Sequence, residues 1–217
     1  MQTQLSAREA MVVSQLRTTK VNDPALVAAL KAVPREHFVP DDRRASAYAD
    51  EDVPLGAGRV MLQPLTIARL LNEAEIQAGG KVLVIGAGTG YACAVLDAMG
   101  AKVTGLEQDA ALAERARASL AAAGHSAVAV VEGALEAGYP ASAPYDAIVV
   151  NGATEFLPQA WAGQLAAHGV VVAILKQDGV GRGVVARAVD GVFGCDAFMD
   201  AFTPVLPGLA KPVTFQF

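Results

Sequence analysis

The chain has 217 residues, of which 53% are apolar and 18% charged, and its net charge is −5. That length suits one domain, or one domain with an N-terminal elaboration. No apolar run approaches the roughly 20 residues of a membrane span, and no Lys/Arg cluster offers a face for nucleic acid, so neither partner is expected. Met1-Gln2-Thr3-Gln4 lacks the charged and apolar pattern of a signal peptide. Cys93 and Cys195 have neither metal-type spacing nor disulfide density, so no metal is expected and the cytoplasm is the natural compartment.

Residues 7–17 and 24–32 have helical periodicity, with Asn22-Asp23 as capping residues before Pro24. Residues 33–55, broken by Pro34, Pro40 and Pro54, read as irregular connection with a short helix near 43–48. Gly56-Ala57-Gly58 is a turn, and Pro64 opens a helix running to about residue 75. From Gly79 the alternation is regular: strand 81–85, helix 90–99, strand 102–106, helix 109–123 behind Asp109, and strand 127–131. Strand 146–150, a short helix at 158–166, strand 170–175 and a loop at 177–181 follow. Two final runs, 184–189 and 193–202, flank Asp190-Gly191, a dipeptide favoured in two-residue hairpins. Strands alternating with helices predict an α/β fold. Its doubly wound, mostly parallel sheet closes in an antiparallel hairpin and follows an N-terminal helical elaboration. The expected division is residues 1–78 for the elaboration and 79–217 for the core, within a single domain covering 1–217.

The strand 81–85 runs into Gly86-Ala87-Gly88-Thr89-Gly90 and then a helix. Such a turn leaves the backbone bare for a ligand, and the helix start adds unpaired N–H groups. About 20 residues on, Glu107 ends the next strand, where a carboxylate accepts hydrogen bonds from a ribose diol. The dinucleotide fingerprint G-x-G-x-x-G wants its third glycine at position 91, which is tyrosine. The G-x-G-x-G spacing resembles class I S-adenosylmethionine-dependent methyltransferases instead. NAD(P) binding and a purely structural turn are the alternatives.

Further landmarks fall in order: Met11-Val12-x-x-Gln15-Leu16, Val33-Pro34-Arg35-Glu36-x-Phe38-Val39-Pro40, Ala47-Tyr48-x-Asp50, Gly56-x-Gly58, Gln63-Pro64, Ala143 through Val150, and Gln164-Leu165. This set resembles the protein-L-isoaspartate O-methyltransferase family over nearly the whole chain. The resemblance implies S-adenosyl-L-methionine as cofactor and, as partner, a protein or peptide carrying isoaspartate. It implies cofactor contacts at Gly86, Gly88, Gly90, Glu107, Gln108, Ala134 and Leu135, and an acceptor side drawn from Arg59, Leu62, Gln63 and Asn151. Oligomeric state is not legible.

Several positions depart from the family pattern. After the Gly-x-Gly the family reads Gln-Thr-Ile-Ser-Gln-Pro, its serine contacting the carboxylate to be methylated. This chain has Arg59-Val60-Met61-Leu62-Gln63-Pro64. Asp52 replaces a proline, Asn151 stands in a stretch that is usually Thr-Ala-Ala, and Gly133-Ala134-Leu135 replaces Gly-Asp-Gly at the adenine side. Glu132 and Glu136 are the acidic alternatives there after a register change. Arg59 reads as a solvated surface residue, with a carboxylate clamp as the alternative. Glu155 reads as a local helix cap, Cys93 as core packing, and His37, His125 and His168 as residues without chemistry. Two functions remain open: a methyltransferase of this family, or a divergent paralogue that keeps the fold and acts on another acceptor or as a binding protein.

Overall fold

The computed structural model describes residues 2–16 and 19–212. Helix α1 (Gln2–Ala10) continues as a π-helical stretch, Met11–Leu16, whose Met11, Val12 and Leu16 are buried. The predicted helix over 7–17 therefore begins earlier than expected, and Arg17 lies outside the described residues. Helix α2 (Pro24–Ala32) keeps its predicted bounds, because Asp23 accepts hydrogen bonds from the N–H groups of Ala25 and Leu26 and Pro24 fits the first turn. Residues 33–55 hold short 3₁₀ turns, including Asp41–Ser46, and end in a strand that the proline-rich reading did not anticipate. That strand, β1 (Val53–Gly56), pairs antiparallel with β2 (Arg59–Met61) before α3 (Pro64–Glu73).

The main sheet contains β3 (Lys81–Ile85), β4 (Lys102–Glu107), β5 (Ala129–Glu132), β6 (Tyr145–Thr154), β7 (Leu165–Gln177), β8 (Val180–Val189) and β9 (Val192–Asp200). Helices α4 (Tyr91–Ala98), α5 (Ala110–Ala122) and α6 (Gln159–Ala162) lie between strands. The spatial order is β5-β4-β3-β6-β7-β8-β9, parallel through β7 and antiparallel from there. The loop expected at 177–181 is a second tight hairpin. Asp178 and Gly179 both have positive φ, as do Asp190 and Gly191, which matches the strand twist.

Strand β3 explains why the sheet forms here. Val82 and Val84 face one apolar cluster and Leu83 and Ile85 the other, so the strand is buried on both sides. The first cluster takes in the N-terminal helices with α3, α4 and α5; the second gathers Tyr145, Trp161, Leu206 and Leu209. The Val33-to-Pro40 segment locks the N-terminal elements onto the sheet. Arg35 is fully buried, lies 4.9 Å from the Tyr91 ring, and donates to the carbonyls of Ala47 and Leu62. Phe38 meets the same tyrosine edge-on at 5.7 Å, while Glu36 binds Arg8 and Tyr48. Burial lowers the Arg35 pKa and raises that of Tyr91.

Candidate functional site

Chain order reverses between β3 and β6, and in open α/β sheets ligands bind at the C-terminal strand ends beside such a point. Gly86, Gly88 and Gly90 all have φ between +60° and +95°, where side chains are strained. Their surroundings separate their roles. A side chain on Gly90 would press against Leu120 and Ala116 of α5, so this glycine serves helix packing. Gly88 faces Leu55 and Asn151, while Gly86 faces Leu206 and Arg59. The first two glycines instead turn their open side towards β1, β2, β6 and the C-terminal segment.

Glu107 ends β4 and is completely buried. One carboxylate oxygen accepts from the N–H groups of Gln108 (3.0 Å) and Asp109 (3.2 Å), and the other from Gly88 (2.8 Å). The remaining faces are taken by Arg59, whose two Nη atoms lie 2.7 and 2.9 Å from the two oxygens. Arg59 is only 5% exposed, which corrects the surface reading of this residue. The reason is geometric: alternation along β2 turns Arg59 and Met61 inward, and the β1–β2 hairpin lies against the glycine turn. A guanidinium taken out of water there needs an anion, and Glu107 supplies it in a two-pronged pair.

A second covering comes from residues 201–211, which return over the strand ends after β9. Ala153 N–H donates to the Pro204 carbonyl (3.1 Å), Leu206 N–H to Ala153 (2.8 Å), and Glu155 N–H to Leu209 (2.8 Å). The carboxylate of Glu155 accepts from Lys211 N–H at 2.8 Å, so it anchors this strap and is not a helix cap. The Leu206 side chain lies where a Cβ on Gly86 or Gly152 would come within 2.8 or 2.7 Å of it. Asp52 holds the base of the strap to the hairpin, accepting from Thr203 Oγ1 (2.8 Å) and from Gln63 N–H (2.7 Å). The sequence signals for this arrangement were Asp52 and Arg59 themselves, since both depart from the family pattern.

The remaining candidates divide. Gln108 and Ala134 are exposed near the crevice rim, and Gly208 of the strap approaches both Gln108 and Glu136. Glu132 pairs with Arg117 at 3.0 Å. Leu135 is fully buried in the second apolar cluster, its carbonyl accepting from Trp161 Nε1. On the acceptor side, Leu62 is buried beside Leu55, Met61, Ile67 and Tyr91 around a cavity of about 10 Å³, room for about one water. Thr89 borders the same cavity, and among the described residues its hydroxyl has no hydrogen-bond partner. Gln63 donates to Thr66 Oγ1 at the start of α3, and Asn151 donates to the Gly86 carbonyl at 3.0 Å. Both are committed to the scaffold. His125 pairs with Asp97, and His37 and His168 are exposed. Among the described residues no cluster of His, Cys, Asp or Glu could hold a metal.

Comparison with known proteins places this arrangement in a family. The family described as Protein-L-isoaspartate(D-aspartate) O-methyltransferase (PCMT) matches residues 7–191. Protein-L-isoaspartate O-methyltransferase 1 of Rhodopseudomonas palustris (strain HaA2) is 40% identical over 203 residues, spanning 92% of this chain and 82% of its own. A namesake from Gloeobacter violaceus is 39% identical over 90% of this chain and 96% of its own. A solved protein-L-isoaspartate O-methyltransferase superposes with a TM-score of 0.81 at 24% identity, covering 94% of this chain and 67% of that one. Sheet order, glycine turn and family match agree: the chain belongs to the protein-L-isoaspartate(D-aspartate) O-methyltransferase family.

Proposed function

We propose that this chain is an S-adenosylmethionine-dependent O-methyltransferase acting on the carboxylate of isoaspartyl residues in damaged proteins. The observation that carries the reading is Glu107, a carboxylate held by three backbone N–H groups at the reversal point of the sheet, beside Gly86 and Gly88. In an open crevice it would accept the ribose hydroxyls. Residues 79–217 would then form the cofactor side and 1–78 the acceptor side of one domain, working in the cytoplasm. A carboxylate acceptor is already ionised at neutral pH, so the chain has to supply position and not a base.

The cofactor does not fit the crevice in the form described. Both oxygens of Glu107 are bound to Arg59, and Leu206 lies over Gly86 and Gly152. Admission requires an arrangement in which these two side chains have moved. Incubation with methyl-labelled S-adenosylmethionine and an isoaspartyl peptide tests the function: base-labile label should enter that peptide and not its aspartyl counterpart. Cofactor binding without transfer would favour the second reading, a binding protein or an enzyme for another acceptor. Leu62, apolar and buried where the family places serine, is the observation on that side.

A further inference from the structure

Arg59, Glu107, Asp52 and the strap form one closed arrangement rather than separate contacts. The guanidinium satisfies Glu107 with two parallel hydrogen bonds, the pattern a vicinal diol would otherwise make. Leu206 fills the space against Gly86, the glycine that leaves the crevice bare. Asp52 ties the hairpin carrying Arg59 to Thr203, from which the strap departs, so the two covering pieces share one support. Each piece is satisfied as it stands: the buried charges neutralise each other, and Leu206 N–H donates to the Ala153 carbonyl while the Pro204 and Leu209 carbonyls accept from Ala153 and Glu155 N–H.

We propose that Arg59 is a built-in competitor for the ribose subsite, and that the hairpin and strap together hold this chain in a self-occupied state. Cofactor affinity is then set by how often Arg59 leaves Glu107. A competent fraction of one in ten weakens the apparent affinity tenfold, and smaller fractions weaken it in proportion. The inference rests on the proposed cofactor reading, but it assigns Arg59 a role opposite to that of a cofactor-holding residue. An arginine that helped to bind the ligand would lose affinity on removal. A competitor gains it.

Isothermal titration with S-adenosylhomocysteine, run on the wild-type chain, Arg59→Gln, Leu206→Ala, and Arg59→Gln combined with Glu107→Gln, decides between them. Arg59→Gln should bind at least tenfold more tightly than wild type, and the added Glu107→Gln should abolish that gain. Leu206→Ala keeps the buried pair, so it carries the test should Arg59→Gln fail to fold; it should also bind more tightly. Circular dichroism establishes that each titrated variant is folded. Equal or weaker binding by folded Arg59→Gln, or by Leu206→Ala where Arg59→Gln does not fold, overturns the proposal and leaves the cofactor reading intact. No binding by any of the four chains overturns both.

Discussion

Leu62→Ser restores the family's hydroxyl and sets two effects against each other. Leu62 is 1% exposed and packs beside Met61, Ile67 and Tyr91. Removing a buried leucine side chain costs about 2–5 kcal/mol. A buried hydroxyl without a partner adds about 1–3 kcal/mol. Thr89, whose hydroxyl has no hydrogen-bond partner among the described residues, lines the same cavity; a bond from it to the new serine would hold the sum near the lower end. A net loss of about 3–5 kcal/mol lowers Tm by about 6–20 °C in a chain of this size. On the functional side, an acceptor carboxylate regains a charge-assisted hydrogen bond of about 1.5–3 kcal/mol. That is about one to two decades in rate. Urea and thermal denaturation measure the first effect, and isoaspartyl-peptide methylation at 15 °C, where the variant remains folded, measures the second. A stability loss below about 1 kcal/mol would refute the packing assigned to Leu62. A folded variant with no gain in transfer would refute the idea that an acceptor carboxylate meets this position.

Glu107→Ala leaves Arg59 buried without its anion and should cost about 3–5 kcal/mol in urea unfolding; an unchanged midpoint would mean that the pair does not persist in solution. Burial pushes the Cys93 thiol up to about 12, whereas Cys195 is exposed, so a thiol reagent at pH 8 should modify Cys195 and reach Cys93 only after denaturation. Burial also raises the Tyr145 phenol to about 12, above its unfolded value of about 10, while its hydroxyl donates to the Tyr139 carbonyl. The native state holds this proton when the unfolded chain has released it, so stability should be full below pH 10 and decline as pH rises towards 12. Tyr145→Phe should flatten that decline in urea midpoints measured across pH 9–11.5. Tyr48→Phe strands Arg8 Nε and Glu36 Oε2 in a buried setting, and should cost about 1–3 kcal/mol by the same assay.

Features that depend on neighbours along the chain were legible in the residues. The β3 run, the helix behind Asp23 and Pro24, the Asp190-Gly191 hairpin and the parallel alternation all follow from local periodicity and turn chemistry. The ordered motifs beginning with Val33-Pro34-Arg35 carried the family, and Glu107 could be placed at a strand tip by counting from the glycine turn. Strand ends were less legible, because β6 and β7 extend beyond their apolar runs where neighbouring strands supply partners. Pattern also could not say which of three left-handed glycines packs against α5. Tertiary structure alone decided the state of the crevice. The Arg59–Glu107 pair joins residues 48 apart and the Asp52–Thr203 bond residues 151 apart, distances over which no periodicity operates. An arginine on a short strand reads as solvated until the fold brings a buried carboxylate to it, and desolvation then makes that pairing obligatory.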